Sequence, residues 1–152
     1  MYIGSAPKEG DPIELVCDTV VLAAEEYQPS KSYWKNVGVI RAPMDDCIPM
    51  RKSDIKMAIE TADFVSQKVL EGNTILSTCA MGVNRSSLIA ALTILNLHPH
   101  FSYNEIIDLI RATRGSDLAK AGVGILPLSN TDFVKLLRKH SMRDSHGRVY
   151  AT

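Results

Sequence analysis

Along the chain, continuous apolar runs alternate with stretches in which apolar residues recur every three or four positions. Residues 18–24, Asp18-Thr19-Val20-Val21-Leu22-Ala23-Ala24, form an unbroken, β-branched run. That pattern predicts a strand buried on both faces. Tyr2-Ile3 predicts a short opening strand, Val37-Gly38-Val39-Ile40 a third strand, and Thr74-Ile75-Leu76 a buried fourth. Ile55, Ile59, Ala62, Val65 and Val69 share one helical face, with Ser53 a candidate cap and Gly72-Asn73 the stop. Residues 88–95 are apolar but for Thr93 and predict a buried helix over residues 88–97, ended by Pro99. Ser102 and Glu105 form a capping box for a helix carrying Tyr103, Ile106, Ile107 and Ile110 and ending near Gly115. Asn130 or Thr131 caps a last helix that turns Phe133, Leu136 and Leu137 inward. Residues 6–12, 25–32, 41–49 and 115–129 read as connections, the third with two prolines, and residues 141–152 as a polar tail. Strands alternating with helices predict one α/β layered domain over residues 1–140.

The chain turns on the stretch between the fourth strand and the apolar helix: Thr78-Cys79-Ala80-Met81-Gly82-Val83-Asn84-Arg85-Ser86-Ser87. A cysteine leaves a strand, five residues pass, and an arginine and a serine open a helix. A helix start offers unpaired N–H groups and the positive end of the dipole. A curled loop before it adds more donors and forms an anion nest. Gly82 permits positive φ and a close backbone approach. Arg85 can hold two phosphoryl oxygens with its planar fork. The same field favours thiolate over thiol and would make Cys79 nucleophilic. The Cys-x5-Arg spacing alone suits a core cysteine and a surface arginine equally well; Gly82, Ser86 and the strand-to-helix setting favour phosphate.

Cys79 to Ser86 resembles the signature loop of cysteine-dependent protein phosphatases, of the compact dual-specificity type. Tyr2-Ile3-Gly4-Ser5 resembles that family's opening strand, Pro43-Met44-Asp45-Asp46 its general-acid loop, and Asn130-Thr131-Asp132-Phe133 the start of its last helix. One position departs: the family usually has histidine where this chain has Thr78. The resemblance implies a mostly parallel central sheet flanked by helices, with the cysteine loop at its carboxyl edge, where ligands of such sheets sit.

Composition adds bounds. The chain has 152 residues, is 45% hydrophobic and 22% charged, and has zero formal net charge. No whole-molecule field toward nucleic acid or membrane is expected, so attraction for an anion must be local. No apolar run reaches spanning length, and the first residues do not read as a signal peptide. Three scattered cysteines, Cys17, Cys47 and Cys79, argue against a disulfide framework and for a reducing, cytoplasmic setting. The four histidines, His98, His100, His140 and His146, show no metal spacing. No cofactor or metal is expected, and the sequence carries no signal of oligomeric state.

The resemblance then assigns roles. Cys79 attacks phosphorus and becomes a phosphocysteine, while Arg85 and the N–H groups of Ala80, Met81, Gly82, Val83, Asn84 and Arg85 hold the equatorial oxygens. The family spacing, proline then two residues then aspartate, selects Asp46 as the acid for the leaving group, with Asp45 in reserve. Ser86 can donate to the departing sulfur when water hydrolyses the intermediate. Lys52, Lys56, Arg111 and Arg114 read as solvated helix faces, with phosphate recruitment open for the last two. Tyr33 and Trp34 read as packing. Cys47 adjoins the acid loop and could trap oxidised Cys79. The expected partner is a phosphorylated protein, through phosphotyrosine and also phosphoserine or phosphothreonine. Ala80, Met81 and Val83 form an apolar rim that suits an aromatic ring and disfavours phosphoinositides. Asn84 followed by Arg85 also resembles an RNA 5′-triphosphatase branch, and Thr78 raises a non-catalytic phosphoprotein-binding module. A sulfur-transfer domain would leave Ser86 and the acid loop without a role.

Overall fold

A computed structural model describes residues 1–142. The sheet has four strands, β1 (Tyr2–Ser5), β2 (Thr19–Ala24), β3 (Gly38–Met44) and β4 (Ile75–Cys79), all parallel, in the order β1-β4-β2-β3. Every residue of β2 is buried, as its β-branched run predicts. Its side chains divide by the period of two. Val21 and Ala23 enter the larger core with the four helices; Val20 and Leu22 enter a smaller core with Ile13, Cys17, Trp34 and Val37. The helices α1 (Lys52–Leu70), α2 (Arg85–Leu97), α3 (Tyr103–Lys120) and α4 (Thr131–Ser141) all feed the larger core. Two 3-10 turns, Ile13–Leu15 and Lys31–Tyr33, lie on the segments that close the other face. Trp34 is packing, as expected.

The α2 helix fixes the architecture. It is buried on nearly every side and touches α1, α3, α4, β1, β2 and β4, which is where a helix apolar all round must go. Its first turn therefore meets the carboxyl ends of β4 and β2. The α1 helix begins without help from Ser53, which lies inside it. Arg51 sits at the N-cap instead and folds over buried Asp54, with Nε 2.7 Å from Oδ2, while reaching Glu25 at 2.6 Å.

Two boundaries differ from the sequence expectation. The β3 strand does not end at Ile40 but runs to Met44, with Ala42 and Met44 buried. Pro43 is tolerated because β3 is an edge strand and needs no ladder donor there. The α3 helix continues through Gly115 to Lys120. A helical glycine costs about 1 kcal/mol, but Leu118 extends the buried face and Gly122, at φ +79°, supplies the stop. Ser141 closes α4 with Met142 as its C-cap, and residues 143–152 of the proposed tail lie outside the described residues. Among the described residues no helix is long and apolar enough to cross a membrane.

The Ser102–Glu105 capping box is present in full, with side-chain oxygens accepting from both backbone N–H groups. Ser102→Ala should cost about 1 kcal/mol of stability, typical of a lost N-cap, read as a lower urea midpoint at unchanged slope.

Candidate active site

The loop between β4 and α2 is shaped by where its carbonyls go. Ala80 O accepts from Ala6 N at 3.3 Å, and Val83 O from Leu128 N at 3.1 Å. Arg114 takes the two between them, Nη2 donating to Met81 O at 3.1 Å and Nε to Gly82 O at 3.0 Å. None of these donors lines the pocket beside the loop. The N–H groups of residues 81–87 donate to no acceptor among the described residues. The loop thus spends its acceptors on the scaffold and keeps its donors free.

Gly82 makes this curl possible. Its φ is +68°, and a Cβ there would lie 2.3 Å from Arg114 Nη2 and 2.7 Å from the Gly4 carbonyl carbon. Arg114 is therefore no solvated helix residue: it braces the loop from behind. Arg111 likewise donates to Pro127 O and Leu128 O, both at 3.1 Å, and so fixes the segment that holds Val83.

The pocket has a volume of about 170 Å³. Cys79, Ala80, Met81, Val83, Asn84 and Arg85 line its floor and one wall; Asp46, Ile125 and Ser129 close the rest. Cys79 is 4% exposed, and its Sγ lies 3.2 Å from Ser86 Oγ. Ser77 Oγ donates to Ser86 O at 2.9 Å and fixes that turn of α2 from below. Thr78, in the position of the family histidine, is buried, and its Oγ1 donates to Val21 O at 2.7 Å. Its side chain ties β4 to β2 and does not reach the sulfur.

Arg85 enters the pocket from the start of α2. Its side chain is 7% exposed. Nη1 donates to Met44 O at 2.9 Å, and Nη1 and Nη2 together grip both carboxylate oxygens of Glu26. Burial, the largest single influence, opposes the guanidinium charge, but the Glu26 hydrogen bonds together with the negative charge of Glu26 and its neighbours outweigh it and hold the Arg85 pKa above its ordinary value. Hydrogen bonding from Arg85 also holds the Glu26 carboxyl below the usual glutamate range, against partial burial. Arg85 Nε is buried and has no partner, an orphan donor of the kind that anion sites keep.

Asp46, not Asp45, lines the pocket. Its Oδ2 accepts from Asn84 Nδ2 at 2.9 Å and its Oδ1 from Asn130 Nδ2 at 2.7 Å. Asp45 instead accepts from the Asp46 N–H. Cys47 donates to Pro49 O and does not line the pocket. Cys17 is packing, with its thiol pushed up by burial and then by Asp18.

All nine residues marked from the sequence, Asp46 and Ala80 to Ser86 with Cys79, thus gather around the one hollow or frame it. Sequence reasoning missed Glu26, Asn130, Ile125 and Ser129. Glu26 lies within residues 25–32, which read as a surface connection. The available signal was topological: it follows β2, the strand beside β4, at the same sheet edge.

No protein-family model and no curated protein matches the sequence. Solved structures do match the fold. Tk-PTP in its active form is 19% identical, with TM-score 0.73, covering 92% of this chain and 90% of its own. Human DUSP28 is 19% identical, with TM-score 0.71 and the same coverages of 92% and 90%. PTPMT1 in complex with PI(5)P is 17% identical, with TM-score 0.65, covering 91% and 88%. The chain has the compact dual-specificity phosphatase fold. Its cysteine loop lies at the sheet edge where that fold was expected to carry it.

Two substitutions probe the loop. Gly82→Ala should cost about 1–3 kcal/mol, the range for a non-glycine residue forced into positive φ, and should weaken phosphate or vanadate binding measured by calorimetry. Glu26→Gln should weaken the same binding roughly tenfold, the scale of one charge-assisted hydrogen bond. The stabilisation from the Glu26 pair is present above the ordinary glutamate range and is lost as pH falls through its depressed value. Urea midpoints measured against pH should therefore show an acid-side decline in the wild type that Glu26→Gln flattens.

Proposed function

We propose that the protein is a phosphomonoester hydrolase of the tyrosine or dual-specificity type, working through a phosphocysteine. The observation that carries this is the run of unpaired N–H groups over residues 81–87 beside the orphan Arg85 Nε and the Cys79 sulfur. A tetrahedral dianion needs many donors converging on three oxygens, and transfer of a phosphoryl group needs little else beyond positioning.

Cys79 Sγ attacks phosphorus in line and the bond to the leaving oxygen breaks. Asp46 gives that oxygen a proton. Water then attacks phosphorus while the Asp46 carboxylate takes its proton, the P–S bond breaks with its electron pair staying on sulfur, and Ser86 Oγ donates a hydrogen bond to the departing thiolate as inorganic phosphate leaves. The 3.2 Å contact between Ser86 and Cys79 supports that second role. Thr78 leaves the arrangement intact because its hydrogen bond is spent within the sheet.

The pocket's charge supports a protein phosphomonoester over a polyphosphate. Among the described residues Arg85 is the single cation that lines it, and Glu26 already pairs with Arg85. A triphosphate end or a multiply phosphorylated inositol would place further negative charge near Asp46 and Glu26 without a matching cation. Met81 and Ile125, both about half exposed, present apolar surface at the mouth, which suits an aryl ring.

Turnover of p-nitrophenyl phosphate without added metal, abolished by Cys79→Ser, is the deciding assay. A covalent phosphoenzyme should be trapped by acid quench in the wild type and be absent from Cys79→Ser. Asp46→Asn should lower kcat on a phosphotyrosine peptide about 10²-fold, the lower end of general-acid contributions. Retained phosphopeptide binding with no turnover would sink the enzymatic reading in favour of a binding module. Faster γ-phosphate release from triphosphate-ended RNA than peptide dephosphorylation would favour the triphosphatase.

A further inference from the structure

One exposed carboxylate joins the loop after β3 to the cysteine loop. Asp46 is held by two amides, Asn84 on Oδ2 and Asn130 on Oδ1. Both amides are largely buried, at 9% and 5% exposure, whereas Asp46 is exposed.

The orientation of each amide is forced. Asn84 Oδ1 accepts from Asn130 N at 3.1 Å and Ser129 Oγ at 3.2 Å. Asn130 Oδ1 accepts from Asp132 N at 3.0 Å and Phe133 N at 3.3 Å, capping α4. Reversing either amide would set an oxygen against the Asp46 carboxylate and an NH2 group against a donor. So Asn84 and Asn130 can present only N–H to Asp46. A loop aspartate left alone samples several rotamers; this one is fixed from both oxygens by side chains anchored in α4 and at the start of α2.

We propose that Asn84 and Asn130 are positioning residues that aim Asp46 at the leaving-group oxygen, which rests on the acid role proposed above. In that step the proton passes from an Asp46 carboxyl oxygen to the bridging oxygen as its bond to phosphorus breaks and the Cys79 sulfur bonds to phosphorus. Asp46 is left as carboxylate and the product leaves as a neutral phenol or alcohol. Correct aim was secured when the protein folded and is not sought at the moment of reaction. Its value depends on how badly the leaving oxygen needs a proton. A p-nitrophenolate leaves easily without one; an unsubstituted phenolate does not.

The discriminating measurement is therefore the ratio of kcat/KM for p-nitrophenyl phosphate to that for phenyl phosphate. Asn84→Ala and Asn130→Asp should each raise this ratio about tenfold, part of the 10²–10⁴ available from a general acid. Asn130→Asp keeps the acceptor that caps α4, so it separates loss of aim from loss of the helix start. Repeating both in an Asp46→Asn background should leave the ratio where Asp46→Asn alone puts it, because partners acting through one group do not add. A purely structural role would slow both substrates alike and leave the ratio unchanged; that result, with Asp46→Asn still raising it, overturns the positioning role alone. If Asp46→Asn does not raise the ratio, the acid assignment falls and the positioning role falls with it. Wild type without metal-independent turnover would overturn the phosphatase reading itself.

Discussion

The site depends on the outward turn of four carbonyls. A loop that curls between a strand and a helix has as many acceptors as donors, and left free it would offer an anion both. Here Ala6, Arg114 and Leu128 remove the acceptors, each from the side away from the pocket. The donors remain because nothing else can claim them, and α2 adds the unpaired N–H groups of its own first turn. This is why Gly82 packs against the backbone of Gly4 with no space for a side chain: the loop must press onto β1 and α3 to turn its carbonyls that way.

Arg85 poses the opposite problem, a charge held almost entirely out of water. Burying a guanidinium without a partner would cost several kcal/mol. Glu26 meets that cost from the solvent side, being itself about half exposed at 51%, so only one member of the pair is deeply desolvated. Glu26 binds both Nη atoms and leaves Nε unmatched. The pair therefore orients the fork as well as neutralising it.

How much of this was legible in the sequence follows from the range of each interaction. The β2 run, the α3 capping box and the Cys79 to Ser86 loop are local patterns, and the structure has each where the pattern put it. Boundaries set by tertiary contacts were not legible. Gly115 reads as a helix stop until Leu118 is seen to find the core, and Pro43 reads as a strand breaker until β3 is seen at the sheet edge. Glu26, Asn130 and Arg114 stand 59, 46 and 32 residues from the loop positions they contact, and no local pattern spans such distances. Arg111 and Arg114 sit on a face that looks solvated because their partners are carbonyls, which leave no mark in a sequence.

Thr78 shows how one substitution can change a site's supports without changing its shape. A histidine in that position could act on the loop through its charge and both ring nitrogens. Threonine has one short hydroxyl, and here it reaches across to Val21 O. The work of holding the loop passes to neighbours: Ser77 on the backbone of Ser86, Arg114 on Met81 and Gly82, and Asn84 on the segment leading into α4. Each of these pins the loop from a different element, so its shape is over-determined even though the position behind the cysteine carries no charge. That redundancy is the physical reason to treat the departure at Thr78 as a change in how the loop is held, with Cys79 and the loop N–H groups still facing one hollow.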